Sequence, residues 1–276
     1  MAQNPYQAPE AALDTATGTP EALQEPRRVG AGRGAAWIGR AFDLFRAHWL
    51  LWLGMIVVMG LILMALALVP VLNLAGSVIM PVFIGGVMLA ASQADTAGST
   101  PFGTLFRGFR DHFIQLIGVG VMSLLGLLAY MAFAFGILFG TGLWPAMQGG
   151  EVDPAMAENM ATTMPLAILG GMALTIPFVM ATWFAPALVT IHRTDLLAAL
   201  RMSFIACLRN ILPFLVYGLV FLVLFLGLGI LLMLLGLASP ILAGVGYFAV
   251  LLVLGPVVLL TQYTAHRDIY LAPEPA

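Results

Sequence analysis

Six long apolar stretches decide what this chain can fold into. Each is long enough to cross the hydrocarbon core of a bilayer as a helix, which takes roughly 20 residues. The predicted spans are residues 49–69, 71–92, 114–139, 165–191, 211–237 and 241–264. The chain is 61% hydrophobic and 9% charged, whereas soluble domains carry about a quarter charged residues. We therefore predict an all-α, polytopic membrane helix bundle with six transmembrane helices.

The placement of the arginines predicts the orientation of the bundle. Lys and Arg together number 11, and every one of them is an arginine. They lie before span one, between spans two and three, between spans four and five, and after span six. Because basic residues are retained on the cytoplasmic side of a membrane, both termini are predicted to lie in the cytosol. A different number of spans would scatter the arginines to both sides.

The segment before the first span differs in composition from the rest of the chain. Residues 1–33 are rich in Ala, Pro, Thr, Gly and acidic residues and have no apolar period. Such a composition predicts a disordered tail, and it does not match a secretory signal peptide. We predict a cytoplasmic tail over 1–33, one six-span membrane domain over 34–271, and a short C-terminal tail over 272–276.

A short motif precedes the first, third and fifth spans. Its pattern is Phe-x-x-Phe-Arg-x-His, which the third copy keeps only at Arg. The copies are Phe42, Phe45, Arg46 and His48; Phe106, Phe109, Arg110 and His112; and Ile205, Leu208, Arg209 and Ile211. Apolar positions at this spacing give one apolar helical face. The pattern predicts three repeats, about 34–95, 101–195 and 196–270, each an interfacial amphipathic helix followed by a two-span hairpin.

His, Arg and Asp also follow the fourth and sixth spans, whereas the exit of span two keeps only Asp95. Together with the motif residues they form a candidate set of contacts to anionic headgroups or to a partner protein. The set is Arg46, His48, Arg110, His112, His192, Arg193, Asp195, Arg209, His266, Arg267 and Asp268. The competing interpretation is topological anchoring, which by itself already accounts for the arginines.

Several kinds of chemistry lack their usual residues. The middles of the predicted spans contain no Asp, Glu, Lys, Arg or His, although proton relays and intramembrane enzymes bury such groups. The histidines do not follow an HExxH or carboxylate-rich pattern, so no catalytic residue, metal or cofactor is predicted. The net charge of −2 and the lack of a basic stripe argue against nucleic-acid binding.

Some segments resemble a known family. They are Trp183-Phe-Ala-Pro-Ala-Leu-Val189, Ser203-Phe-Ile-Ala-Cys-Leu-Arg-Asn210 and Arg267-Asp-Ile-Tyr270. They resemble an uncharacterised family of proteobacterial inner-membrane proteins, a domain of unknown function. Its architecture is similar to the membrane domain attached to some glycerophosphodiester phosphodiesterases. The resemblance implies an inner-membrane location and a six-span body, and it carries over no catalytic residues.

Three functions remain open on this basis. The leading hypothesis is a non-enzymatic inner-membrane protein, either a lipid-associated scaffold or an accessory subunit, with the bilayer, anionic headgroups and a membrane-protein partner as its contacts. The alternative is a facilitative transporter of a small apolar or zwitterionic solute, since prolines in spans two, four and six could open a cavity. Pro177 and Pro186 also predict a kink in span four. A membrane enzyme would require His192 and His266 to converge.

Overall fold

The computed structural model describes residues 23–140, 144 and 154–271, and the regular structure in these residues is helical. The helices are α1 (Arg33–Ala47), α2 (Trp49–Ala67), α3 (Pro70–Ala97), α4 (Arg107–Asp111), α5 (Phe113–Gly140), α6 (Pro154–Trp183), α7 (Ala185–His192), α8 (Leu196–Arg209), α9 (Ile211–Ala238) and α10 (Pro240–Tyr270). A 3-10 helix, Phe102–Phe106, precedes α4.

Six helical stretches are long and apolar enough to cross a membrane, as the sequence predicts. They are formed by α2, α3, α5, α6 together with α7, α9, and α10. Helix α10 continues to Tyr270, well past the predicted end of the sixth span at residue 264. The all-α, six-helix prediction is therefore confirmed, and the last span carries an extension that its apolar pattern does not reveal.

The predicted kink in the fourth span lies between α6 and α7. Pro186 occupies the first turn of α7, where its missing N–H is tolerated. At the break, the backbone N–H of Phe184 donates to Ser203 Oγ at 2.9 Å, and Ser203 Oγ donates to the Met180 carbonyl at 2.7 Å. The hydroxyl of a neighbouring helix thus replaces hydrogen bonds that the broken helix has lost. Pro177 lies inside α6 without ending it.

The buried core lies at one end of the bundle. It is formed by α1, the first half of α2, the second half of α3, the 3-10 helix, the start of α5, α7, α8 and the second half of α10. Elsewhere the spans are thinly packed, and only 6% of the most apolar window of α9 is buried. The remaining apolar surface of the spans suits contact with lipid, which needs no burial. We call the packed part the arginine-bearing end, because Arg33, Arg107, Arg209 and Arg267 all contact residues there.

Three junctions at this end share a backbone conformation. His48 joins α1 to α2 with φ −137° and ψ 39°, His112 joins α4 to α5 with φ −142° and ψ 29°, and Asn210 joins α8 to α9 with φ −122° and ψ 33°. The third junction lies at Asn210, one residue before the aligned position Ile211. Helix α4 is only five residues long, so the second segment is not a full amphipathic helix. The threefold repeat itself stays a prediction.

The predicted tail 1–33 includes residues with defined contacts. Residues 23–32, which we call the N-terminal segment, are non-helical and lie against the end of α10. The Gln24 N–H donates to the Tyr270 carbonyl at 3.0 Å, and the Arg27 N–H donates to the Ile269 carbonyl at 3.1 Å. Helix α1 already begins at Arg33. Tail residues 1–22 and 272–276 lie outside the described residues.

Two glycines of α1 give a matched test of this packing. A Cβ at Gly34 would lie 2.0 Å from the backbone oxygen of Pro213 in α9, whereas nothing lies within 4 Å of a Cβ at Gly39. Gly34→Ala is expected to lower the thermal stability of the detergent-purified protein, because backbone must move. Gly39→Ala is expected to raise stability by up to about 1 kcal/mol, since alanine favours helix. Equal melting temperatures for the two variants would contradict the packing.

Candidate functional site

Asp268, near the end of α10, is a buried carboxylate with several partners. It is 6% exposed. Arg33 donates to it through Nε and Nη2, both at 2.7 Å, Trp37 donates through Nε1 at 2.8 Å, and Arg27 donates through Nη2 at 3.3 Å. The hydrogen bond to Asp268 raises the pKa of the Arg33 guanidinium. A buried charge requires such pairing, so Asp268 holds the N-terminal segment and α1 against α10.

Asn210, at the junction between α8 and α9, also binds the N-terminal segment. Its buried amide accepts a hydrogen bond from the Val29 N–H at 2.9 Å and donates to the Arg27 carbonyl at 2.9 Å. The neighbouring Arg209 donates through Nη1 to the Pro26 carbonyl at 2.8 Å. Arg209 therefore differs from the other two motif arginines, because it helps to fix the N-terminal segment.

The exits of the second and sixth spans meet directly. Arg267 of α10 forms an ion pair with Asp95 of α3, and the Tyr263 hydroxyl donates to the same carboxylate at 2.8 Å. Both charged side chains are largely shielded from solvent. The pair thus joins two spanning helices that are far apart in the sequence.

His192 and His266 converge, as the membrane-enzyme hypothesis requires. Their ring centroids are 5.1 Å apart, and the His266 ring is 5.2 Å from the ring of Tyr270. His266 is fully buried, and neither of its nitrogens has a hydrogen-bond partner; His192 Nε2 and the Tyr270 hydroxyl are likewise unpartnered. Within the described residues, no group of three or more His, Cys, Asp or Glu side chains could hold a metal ion.

A cleft of about 490 Å³ opens between α3, α4 and the end of α7. Its charged and polar walls are formed by Arg107, Asp111, His112 and Arg193, together with Thr190. Arg107 Nη2 lies 2.9 Å from Asp111 Oδ2. Burial lowers the pKa of His112; Asp111 opposes this shift, and the two arginines add to it. Two lining arginines against one aspartate leave the cleft with a net positive charge beside the imidazole of His112.

The structure divides the predicted contact set into five groups. Arg46, His48 and Arg110 lie at or beside the first two junctions, and the Arg110 side chain is 89% exposed. His112 and Arg193 line the cleft, and Arg209 contacts the N-terminal segment. His192, His266, Arg267 and Asp268 point into the core. Asp195 is exposed and begins α8 without a side-chain cap bond.

Sequence reasoning missed several residues that hold this end together. Arg27 and Arg33 counted only as basic residues of a tail, and Trp37 and Asn210 carry no charge. Their partners on α10, or on the N-terminal segment for Asn210, are 181 or more positions away. No periodic or spacing signal within one segment could have identified them.

Replacing Asp268 tests its part in this assembly. Asp268→Asn is expected to lower the free energy of unfolding by about 3 kcal/mol, since it leaves buried donors poorly paired. It should also speed tryptic cleavage after Arg27 and Arg28 as the N-terminal segment is released. Asp43→Asn, which removes an equal charge from an exposed position of α1, serves as the control. Equal cleavage rates and stabilities in both variants would contradict the assignment.

The pKa of His112 can be measured with ¹³C-labelled histidine, using His112→Gln to assign its resonance. We expect a pKa below 6.5, because burial disfavours the imidazolium. Asp111→Asn should lower it further, since Asp111 favours the charged form. As the unfolded chain takes up the proton first, His112 weakens the fold as pH falls through 6.5. A pKa at or above 6.5 would contradict this description of the cleft.

Comparison with known proteins agrees with the membrane architecture. The chain is 28% identical over 267 residues to a protein of Burkholderia thailandensis described as a probable inner membrane protein, across 90% of this chain and 94% of that protein. No protein-family model and no solved structure matches the chain. The similarity to the phosphodiesterase-associated domain therefore stays a prediction. With its six membrane-length helices, the chain is a multi-pass protein of the bacterial inner membrane.

Proposed function

We propose that this protein is a non-enzymatic, lipid-associated scaffold or accessory subunit whose arginine-bearing end binds anionic phospholipid headgroups. The proposal rests on the exposed aromatic residues that flank two junction arginines, Arg46 and Arg110. Exposed Arg46 stands in the chain between Phe42 and Trp49, whose side chains are also exposed. Exposed Arg110 stands in the chain between the exposed Phe106 and Phe113, and its one ion pair, at 3.7 Å to Asp111, leaves the side chain 89% exposed. Each arginine is thus placed beside large apolar groups at the start of a spanning helix.

This arrangement suits the boundary between lipid tails and headgroups. Aromatic side chains prefer that depth, and a guanidinium there can donate two parallel hydrogen bonds to a phosphate. The Arg46 guanidinium lies 5.5 Å from the centroid of the Phe42 ring, a contact that limits its freedom. Each basic residue near an anionic membrane surface contributes about 1 kcal/mol to the attraction.

Packing supports a scaffold over a transporter. The ion pairs and amide contacts of Asp268, Asn210 and Arg267 fasten segments to one another. A transporter built on proline-broken spans would place its cavity among spans two, four and six. The apolar cavity of about 270 Å³ near Tyr130 and Met164 is lined by α5 and α6 alone, which are spans three and four.

The convergence of His192 and His266 is the observation that favours the membrane-enzyme alternative. Two imidazoles beside a tyrosine could move a proton if a substrate reached them. His266, however, has no exposed surface, and Nε2 of the partly buried His192 is also shielded from solvent. We therefore retain the scaffold proposal and treat the histidine pair as part of the core.

Native mass spectrometry of the protein extracted from mixed-lipid membranes tests the headgroup proposal. The double variant Arg46→Gln, Arg110→Gln is expected to retain several-fold less phosphatidylglycerol relative to phosphatidylethanolamine, because each change removes about 1 kcal/mol of attraction. The control is Arg28→Gln, Arg201→Gln, which removes the same charge from exposed positions outside the junctions. Equal lipid retention in the two double variants would contradict a junction-specific site.

A further inference from the structure

The cleft between α3, α4 and α7 has features that simple anchoring does not require. We propose that this cleft binds one singly charged phosphodiester group, held by Arg107 and Arg193 with His112 as a hydrogen-bonding partner. The proposal rests on the proposed function in one respect, that the arginine-bearing end meets anionic headgroups. It adds a defined ligand chemistry and a defined place, distinct from the exposed junction arginines.

The backbone conformation of Arg193 is unusual for a residue other than glycine. Arg193 has φ 52° and ψ 35°, and it is the only residue other than glycine with a positive φ in the described part of the chain. It follows the last turn of α7, where the Thr194 N–H donates to the Leu188 carbonyl at 3.2 Å. Glycine is the usual residue in this helix-ending position. An arginine there is strained, and strain of this kind is typical of functional positions.

The side chains that line the cleft carry a net positive charge. Asp111 engages Arg107 through Nε and Nη2, both at 2.9 Å, so the carboxylate offsets one of the two arginines that line the cleft. Arg110 Nε also lies 3.7 Å from Asp111 Oδ1, but the Arg110 side chain is 89% exposed and does not line the cleft. The charged groups that face His112 are Arg107 and Asp111 from α4 and Arg193 from the end of α7, while α3 contributes the apolar Leu89. The remaining positive charge matches the single negative charge of a phosphodiester better than the double charge of a phosphomonoester.

Exposed apolar residues lie close in the chain to the residues that line the cleft. Ile114 follows His112 closely in the chain and is 81% exposed, and Leu197 lies shortly after Arg193 and is 79% exposed. Apolar side chains so near the cleft indicate that it opens close to the membrane boundary. A phospholipid could lay its acyl chains beside these residues and place its phosphate between the arginines. A soluble phosphodiester could reach the same groups from the aqueous side.

The His112 resonance in labelled protein reports on the cleft in micelles of a detergent without phosphate, dodecyl maltoside. Three samples separate the sources of phosphate: these micelles alone, the same micelles with soluble glycerophosphoglycerol, and the same micelles with phosphatidylglycerol. A shift with phosphatidylglycerol alone identifies a lipid ligand, and a shift with both probes shows that the phosphodiester is sufficient. Either result supports the site. No shift with either probe overturns the proposal.

Arg193→Gly separates binding from folding. Glycine fits the backbone at this position, so the melting temperature is expected to stay the same or rise. Loss of the guanidinium should weaken the response of His112 at least tenfold in probe concentration. Arg201→Gln, an exposed change on α8, should leave the response unchanged. A full response in Arg193→Gly would overturn the assignment.

The two proposals fail in different ways. If Arg46→Gln, Arg110→Gln retains as much phosphatidylglycerol as its control while Arg193→Gly abolishes the His112 response, the junction site fails and the cleft stands. If the junction variant loses lipid while Arg193→Gly responds normally, the cleft proposal fails and the proposed function stands.

Discussion

A carboxylate buried at the end of the last spanning helix must be paired, and this requirement organises one whole end of the molecule. Asp268 accepts hydrogen bonds from Arg27, Arg33 and Trp37, so the N-terminal segment and α1 pack against α10. Apolar side chains gain little by leaving lipid for one another. Polar contacts at one end therefore largely determine how the six thinly packed spans are arranged relative to one another.

The spans and the kink were predictable because each depends on a local signal. Apolar length identifies a membrane helix, and Pro186 identifies the break before α7. The meeting of Asp95 with Arg267 and of Asn210 with the N-terminal segment depends on pairs far apart in the chain. One sequence contains no signal for such pairs. The short length of helix α4 was also not predicted, because the spacing of its apolar residues resembles that of a longer helix.

The arginines, which the sequence presents as one set, have different surroundings in the structure. Arg33 is paired with the buried Asp268, Arg267 is paired with the partly buried Asp95, and Arg209 contacts backbone. Arg46 and Arg110 remain exposed beside aromatic rings, and Arg193 faces a cleft. Anchoring and recognition are therefore not exclusive interpretations of the same residues. Internal partners account for the first group, whereas the second group is exposed, with one ion pair at 3.7 Å between Arg110 and Asp111.

Hydrogen exchange in nanodiscs, with and without phosphatidylglycerol, tests both the docking of the N-terminal segment on α10 and the binding of anionic lipid at the arginine-bearing end. We expect the N–H groups of Gln24 and Arg27 to be protected in both kinds of disc, because both donate to the end of α10. We expect phosphatidylglycerol to add protection at residues 46–49, 110–114 and 190–194 and to leave the far ends of the spans unchanged. Unprotected N–H groups in the N-terminal segment, or an equal effect of the lipid at both ends of the bundle, would contradict this structure of the arginine-bearing end.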